Sequence, residues 1–332
     1  MCLHYIIYNK CMQQGRKIVE PAYLKVGDKV AIVSPAYWIP QEAIQKAANV
    51  IRSWGLEPVI GPHTKDLNVN AYAGTADQRA ADLLWALEDD SIKAIMCGRG
   101  GYGSIHLVER IPTTTFIQHP KWIIGHGDIT TLLCAQAALG IMSIHGPMVL
   151  QMATEQTICI NMLRELLFGS VPQYVIPSHE NNLQGHAEGV LVGGNLSSFA
   201  ALAGTKYDTI NTDIIIFIEE SEEALHYIDR LFCMLRLQKN FRHVKGVILG
   251  EFTAIRYDLE FDSPEQMLIE HLKRLDIPVC CGFPIGNNSF LPLIEGANVQ
   301  LDVNDKETTL TFEMEGNTKP IHTKEITIPL FR

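Results

Sequence analysis

The residues best suited to chemistry form one run, Gly98-Arg99-Gly100-Gly101-Tyr102-Gly103-Ser104, between an apolar stretch ending at Cys97 and a helical pattern beginning near Ile105. Its four glycines let the backbone take positive φ and come close to a ligand. Their amides, with the start of the next helix, make a partly positive concavity suited to an anion or a developing oxyanion. Ser104 there has two readings, the N-cap of that helix or a nucleophile held on a tight strand-to-helix turn. Arg99 also has two: a brace for the loop, or a guanidinium that binds a terminal carboxylate bidentately. Gly98, Gly100 and Gly103 match GxGxxG as well, but the run follows a third strand and the nearest acid, Asp128, opens a helix. Nucleotide binding therefore fits poorly.

Other candidates lie farther along. Glu219 and Glu220 end an apolar strand; either could orient a catalytic base, and with Glu222 and Glu223 they could simply favour a helix N-terminus. Asn195, after Gly193 and Gly194, reads as a helix cap or a substrate contact. None of the eight cysteines forms a CxxC pair, and several sit in apolar runs, which reads as free core thiols in a reducing compartment.

These residues must be positioned by a repeating pattern. Val30–Val33 is a strand, Ala43, Ile44, Ala47, Ile51 and Trp54 recur at helical spacing, and Gly55 closes that helix. A strand at Pro58–Ile60 follows, then a capping box from Thr75 to Gln78, a helix with Leu83, Leu84 and Leu87, and strands at Ile92–Cys97 and Trp122–Gly125. Near-continuous apolar strands alternating with amphipathic helices imply an α/β fold with a parallel sheet covered on both faces, and a site beyond the strands' carboxyl ends. Gly, Ser, Pro and Asn dominate 169–186, a linker. The expected division is a leader over 1–22, a first domain over 23–168, and a smaller α/β domain over 187–332 whose tail alternates apolar and polar residues, as antiparallel strands do.

Lys plus Arg number 27 against 37 Asp plus Glu, a formal net charge of −10, which excludes a phosphate-backbone binder. No run of about 18 uncharged apolar residues exists to span a membrane.

Several motifs occur in order: Val30–Pro35, Gly74–Arg79, Gly98–Ser104, Gly127–Thr130, His145–Met148, Gly193–Leu196, Ile216–Glu220 and Gly282–Gly286. Together they resemble the LD-carboxypeptidases, serine peptidases that include murein tetrapeptide carboxypeptidases and microcin-immunity relatives. The resemblance implies a flavodoxin-like N-terminal domain bearing the nucleophile, and a C-terminal domain completing a Ser-His-Glu triad. Ser104 matches the nucleophile and Glu219 the glutamate; the amides of Gly101 and Ile105 become the expected oxyanion donors. It further implies a cytoplasmic, metal-independent and cofactor-free homodimer that releases the terminal D-amino acid from a muropeptide. One position departs from the pattern: the family's histidine follows Gly-Phe-Pro-x-Gly, and here Asn287 stands there. An amide cannot take up the serine proton at neutral pH. Three accounts fit: a homologue that binds muropeptide without efficient hydrolysis, an introduced inactivation, or an imidazole relocated from His126 or His145.

Overall fold

The computed structural model describes residues 18–154, 157–314 and 321–322; Cys2, Cys11, most of the expected leader and most of the chain beyond 314 lie outside the described residues. The first half runs β1 (Lys29–Val33), α1 (Gln41–Ser53), β2 (Glu57–Ile60), α2 (Ala76–Glu88), β3 (Ile92–Cys97), α3 (Thr113–Gln118), β4 (Trp122–Gly125), α4 (Thr130–Ala138), β5 (Ser143–His145), α5 (Val149–Met152) and α6 (Thr157–Leu167). Its strands pair in parallel in the order β2-β1-β3-β4-β5, the flavodoxin-like arrangement. The periodicities act as expected. Helix α1 buries Ala43, Ile44, Ala47, Ala48 and Ile51, and α2 opens with the reciprocal Thr75–Gln78 capping box.

The second half runs β6 (Pro172–Pro177), β7 (Gly185–Asn195), α7 (Leu196–Ala200), β8 (Ile214–Ser221), α8 (Leu225–Arg236), β9 (Val244–Thr253), α9 (Pro264–Leu272), β10 (Val279–Cys280), β11 (Leu293–Glu295), β12 (Asn298–Val303), β13 (Glu307–Glu313) and β14 (Ile321–His322). Apart from β11 these strands form one sheet, ordered β10-β9-β8-β7-β12-β13-β6-β14. Strands β10 through β7 are parallel; β12, β13 and β6 continue it antiparallel. The segment 169–186 thus contributes β6 to the sheet as well as crossing between the halves.

Strand β11 does not join its sequence neighbours. It adds to the first sheet antiparallel to β5, pairing Leu293 with His145 and Glu295 with Ser143, directly before the chain returns to the second sheet as β12. Where the halves meet, the Cys134 thiol of α4 donates to Glu295 Oε1 at 3.1 Å, and the amide of Gly193 on β7 lies 3.5 Å from the same oxygen. Glu295 is fully buried, and burial pushes its carboxyl up to about 8. Gly193 has φ +148, and a Cβ there would stand 1.8 Å from the Phe217 carbonyl oxygen on β8.

Two outcomes follow from this seam. Because a methyl at 193 collides with backbone rather than with a flexible side chain, Gly193→Ala loses more than about 2 kcal/mol in denaturant unfolding. A carboxyl whose folded value is raised from 4.5 to about 8 contributes stability fully below pH 4.5 and loses it as pH rises through about 8. Glu295→Gln therefore gains stability relative to the parent between pH 5 and 8, on the order of 1–4 kcal/mol. Parallel unfolding curves for the two proteins across that range would contradict the assignment.

Candidate active site

The carboxyl ends of β3, β4 and β5 face those of β7 and β8 across a crevice of about 620 Å³, the position expected of a site in parallel sheets. One wall is the glycine run. Gly101 and Gly103 take φ +109 and +120, and a Cβ at Gly101 would overlap the Tyr37 ring at 2.3 Å, so the bend requires glycine. Arg79 braces it from behind, donating from Nη1 to the carbonyls of Pro35 at 2.5 Å and Gly103 at 2.9 Å. Arg99 lies over the Tyr37 ring at 5.6 Å, lines the crevice, and has a buried Nε without a hydrogen-bond partner. Gly101 and Ile105 line the crevice too.

Ser104 does not, and this corrects the expectation of a displayed hydroxyl. It is fully buried; its Oγ donates to the Asp128 carbonyl at 2.5 Å and shares a short hydrogen bond with Thr131 Oγ1, while its amide donates to Asp128 Oδ2 at 2.8 Å. The physical reason is local. After the glycine run comes only a single 3-10 turn, Ser104–His106, instead of the expected helix, and that turn tucks under the loop following β4, which it pins through Ser104.

The sharp strand-to-helix turn facing the crevice is the next one, Gly125-His126-Gly127-Asp128. Gly127 has φ +60, lines the crevice, and a Cβ there would meet nothing within 4 Å. That is the geometry on which a nucleophile is displayed, and here it carries a hydrogen. A second glycine-bearing turn between a buried strand and a helix was the available signal, overshadowed by the richer run before it.

The opposite wall comes from β8 and the loop after β7. Glu220 lines it, with both oxygens engaged: Oε1 accepts from Asn195 Nδ2 at 2.5 Å and the Ser221 amide at 2.9 Å, Oε2 from the Ser197 amide at 2.9 Å and hydroxyl at 2.6 Å. Burial nonetheless raises its carboxyl. Glu222 at φ +62 turns the acidic stretch onto the rim beside Glu223. Asn195 does cap α7, its Oδ1 accepting from the Ser198 amide at 3.0 Å, and it also holds Glu220.

Glu219, the expected triad member, lies behind this wall. It is 1% exposed, its Oε1 has no partner, and burial, then Glu220 and Glu251, push it up to about 8. Burial thus favours its protonated form. Asn287 does line the crevice, on a loop held by the Asn288 amide donating to Glu251 Oε2 at 2.8 Å and by Phe290 packing on His126 at 4.7 Å.

Burial holds both candidate imidazoles toward their neutral forms. His126 reaches the crevice, but its Nδ1 is hydrogen-bonded to the Gly146 carbonyl at 3.0 Å and burial lowers it to about 4. His145 is buried with neither ring nitrogen partnered and is held well below the usual range by burial and by His126. The crevice thus brings together Arg99, glycine-turn amides, Glu220 and Asn287, and leaves Ser104 and Glu219 outside.

Residues 30–146 match the model of the LD-carboxypeptidase N-terminal domain, and 188–301 that of the LD-carboxypeptidase C-terminal domain. A Synechocystis protein named as a carboxypeptidase is 34% identical over 296 residues, 86% of this chain and 95% of its own length. The murein tetrapeptide carboxypeptidase of Pseudomonas aeruginosa is 27% identical over 286 residues, covering 83% of this chain and 93% of its own. The crystal structure of a muramoyltetrapeptide carboxypeptidase from Oxalobacter formigenes superposes with a TM-score of 0.76 at 24% identity, over 87% of this chain and all of the other, which shows a shared fold. With both domain models matched in order and the Synechocystis protein aligned over most of its length, the chain belongs to the LD-carboxypeptidase family of peptidases.

Proposed function

We propose that the crevice takes the C-terminal end of a murein-type tetrapeptide and that the chain is an LD-carboxypeptidase-like hydrolase, releasing a terminal D-amino acid at a rate far below what this scaffold could sustain. The observation that carries the reading is the opposition of Arg99 and the glycine-turn amides to Glu220 and the acidic rim, across a crevice between the two family domains. Arg99, with a free buried Nε, suits the terminal carboxylate. Gly101 and Ile105 amides suit the carbonyl oxygen of the scissile bond. Glu222 and Glu223 suit a peptide ammonium. The reading also expects a cytoplasmic homodimer; the six described cysteines are free thiols, which suits a reducing compartment.

Three features motivate peptide binding without turnover as the second reading. Gly127 offers no hydroxyl at the crevice turn, Asn287 offers no base, and the hydroxyl of Ser104 is spent on Asp128 and Thr131. Loss of triad members costs roughly three to six orders of magnitude, with residual catalysis from binding and oxyanion contacts.

The experiment is to incubate the protein with an LD-linked tetrapeptide, measuring D-alanine release and, by calorimetry, affinity. Asn287→His alone stays within about tenfold of the parent rate, because a base without a hydroxyl partner does little. Gly127→Ser combined with Asn287→His raises release by at least about a hundredfold. A large gain from Asn287→His alone, abolished by Ser104→Ala, would restore Ser104 as the nucleophile. Arg99→Gln weakens tetrapeptide binding about tenfold or more, and weakens a C-terminally amidated peptide much less; equal losses on both peptides would remove the carboxylate role.

A further inference from the structure

Away from the crevice, α8 and α9 bring three different ligand types together. Asp229 and Cys233 are one turn apart on α8, on the same face. His271 stands in the last turn of α9, with Nε2 2.6 Å from Asp229 Oδ1 and both ring nitrogens 3.9 Å from Cys233 Sγ. One donor atom from each residue lies within 4.8 Å of the others. We propose that Asp229, Cys233 and His271 form a binding site for a zinc-class divalent ion that clamps α8 to α9.

The donor set selects the metal. Thiolate, imidazole and carboxylate together suit Zn²⁺, at about 2.3 Å to sulfur and about 2.0 Å to nitrogen and oxygen, whereas Mg²⁺ and Ca²⁺ take oxygen alone. The spacing admits such an ion after a small opening of the Asp229–His271 contact. The site is reachable, with the His271 side chain 18% and the Asp229 side chain 35% exposed. The Phe232 ring, 5.9 Å from His271, limits the imidazole's swing.

The same three residue types could be read as a nucleophilic thiol with its base, but the geometry opposes it. A sulfur equidistant from both ring nitrogens lies on the in-plane axis of neither, which makes it a poor partner for proton transfer to the imidazole. Neither Cys233 nor His271 lines the crevice. A plain ion pair beside an unrelated thiol is the remaining reading, and it predicts no metal selectivity. On binding, the thiol loses its proton to solvent, two protein charges meet the dication, and a fourth coordination position stays open to water.

The full chain, stripped by chelator, is titrated with ZnCl₂ and separately with CoCl₂. The expected result is about one Zn²⁺ retained per chain in native mass spectrometry, a thiolate-to-cobalt charge-transfer band in the near ultraviolet, about one proton released near neutral pH, and a higher melting temperature. Cys233→Ser removes the band, and His271→Gln lowers Zn²⁺ affinity at least about tenfold, while both melt with the parent when metal-free. Failure to retain Zn²⁺, or a cobalt band that survives Cys233→Ser, overturns the site. Should either variant melt early without metal, Asp229→Asn provides the same affinity comparison on a half-buried ligand.

Discussion

The crevice depends on one short pairing, the three residues of β11 laid antiparallel on β5. A strand from the second half of the chain completes the first sheet, and the chain then re-enters the second sheet as β12. The two halves are thereby sewn together within a few residues, with Glu295 packed against Cys134 and Gly193 at the seam. Two sheets joined only by a loop would present their strand ends at variable angles. Here the distance between the Arg99 wall and the Glu220 wall is set by backbone hydrogen bonds.

Within that frame the two walls are built differently. The glycine wall is shaped by backbone conformations that only glycine adopts without strain and is braced from behind by Arg79. The acidic wall is shaped by side-chain hydrogen bonds converging on Glu220. Burial pushes several titratable groups in and behind these walls toward their neutral forms, raising Glu219 and Glu295 and lowering His126 and His145. Neutral groups there leave the field in the crevice mainly to Arg99 and the acidic rim.

Much of the fold was legible because it rests on periodicity. The strand and helix patterns of Val30 through Ala137, the Thr75 capping box and the alternating strands from Val299 to Glu313 are local signals, and the structure follows them except after Gly103, where a single 3-10 turn replaces the expected helix. Strand β11 was not legible: Leu293–Glu295 is three residues long and its partner is about 150 positions away, so nothing in its own composition marks it. The site was half legible. Arg99, Gly101, Ile105 and Asn287 do reach the crevice, because the glycine bend after β3 and the loop after Gly286 both lie along it. Ser104 and Glu219 were misplaced, because side-chain direction at a strand end is decided by what packs behind it. The loop after β4 captures the serine, and although the register of β8 with β7 pairs Asn195 with Glu219, it is the side chain of the next residue, Glu220, that bonds Asn195 and Ser197.

Gly127 has a consequence for how such a protein can change over generations. Its backbone is fixed by the turn, but the space where its side chain would be is open. Most residues around it are held by packing, so altering them disturbs the architecture. This position can exchange hydrogen for a functional group without displacing a neighbour, at the cost of the strain that φ +60 imposes on any side chain, so exchanges here and at position 287 can alter the chemistry of the crevice while its walls persist.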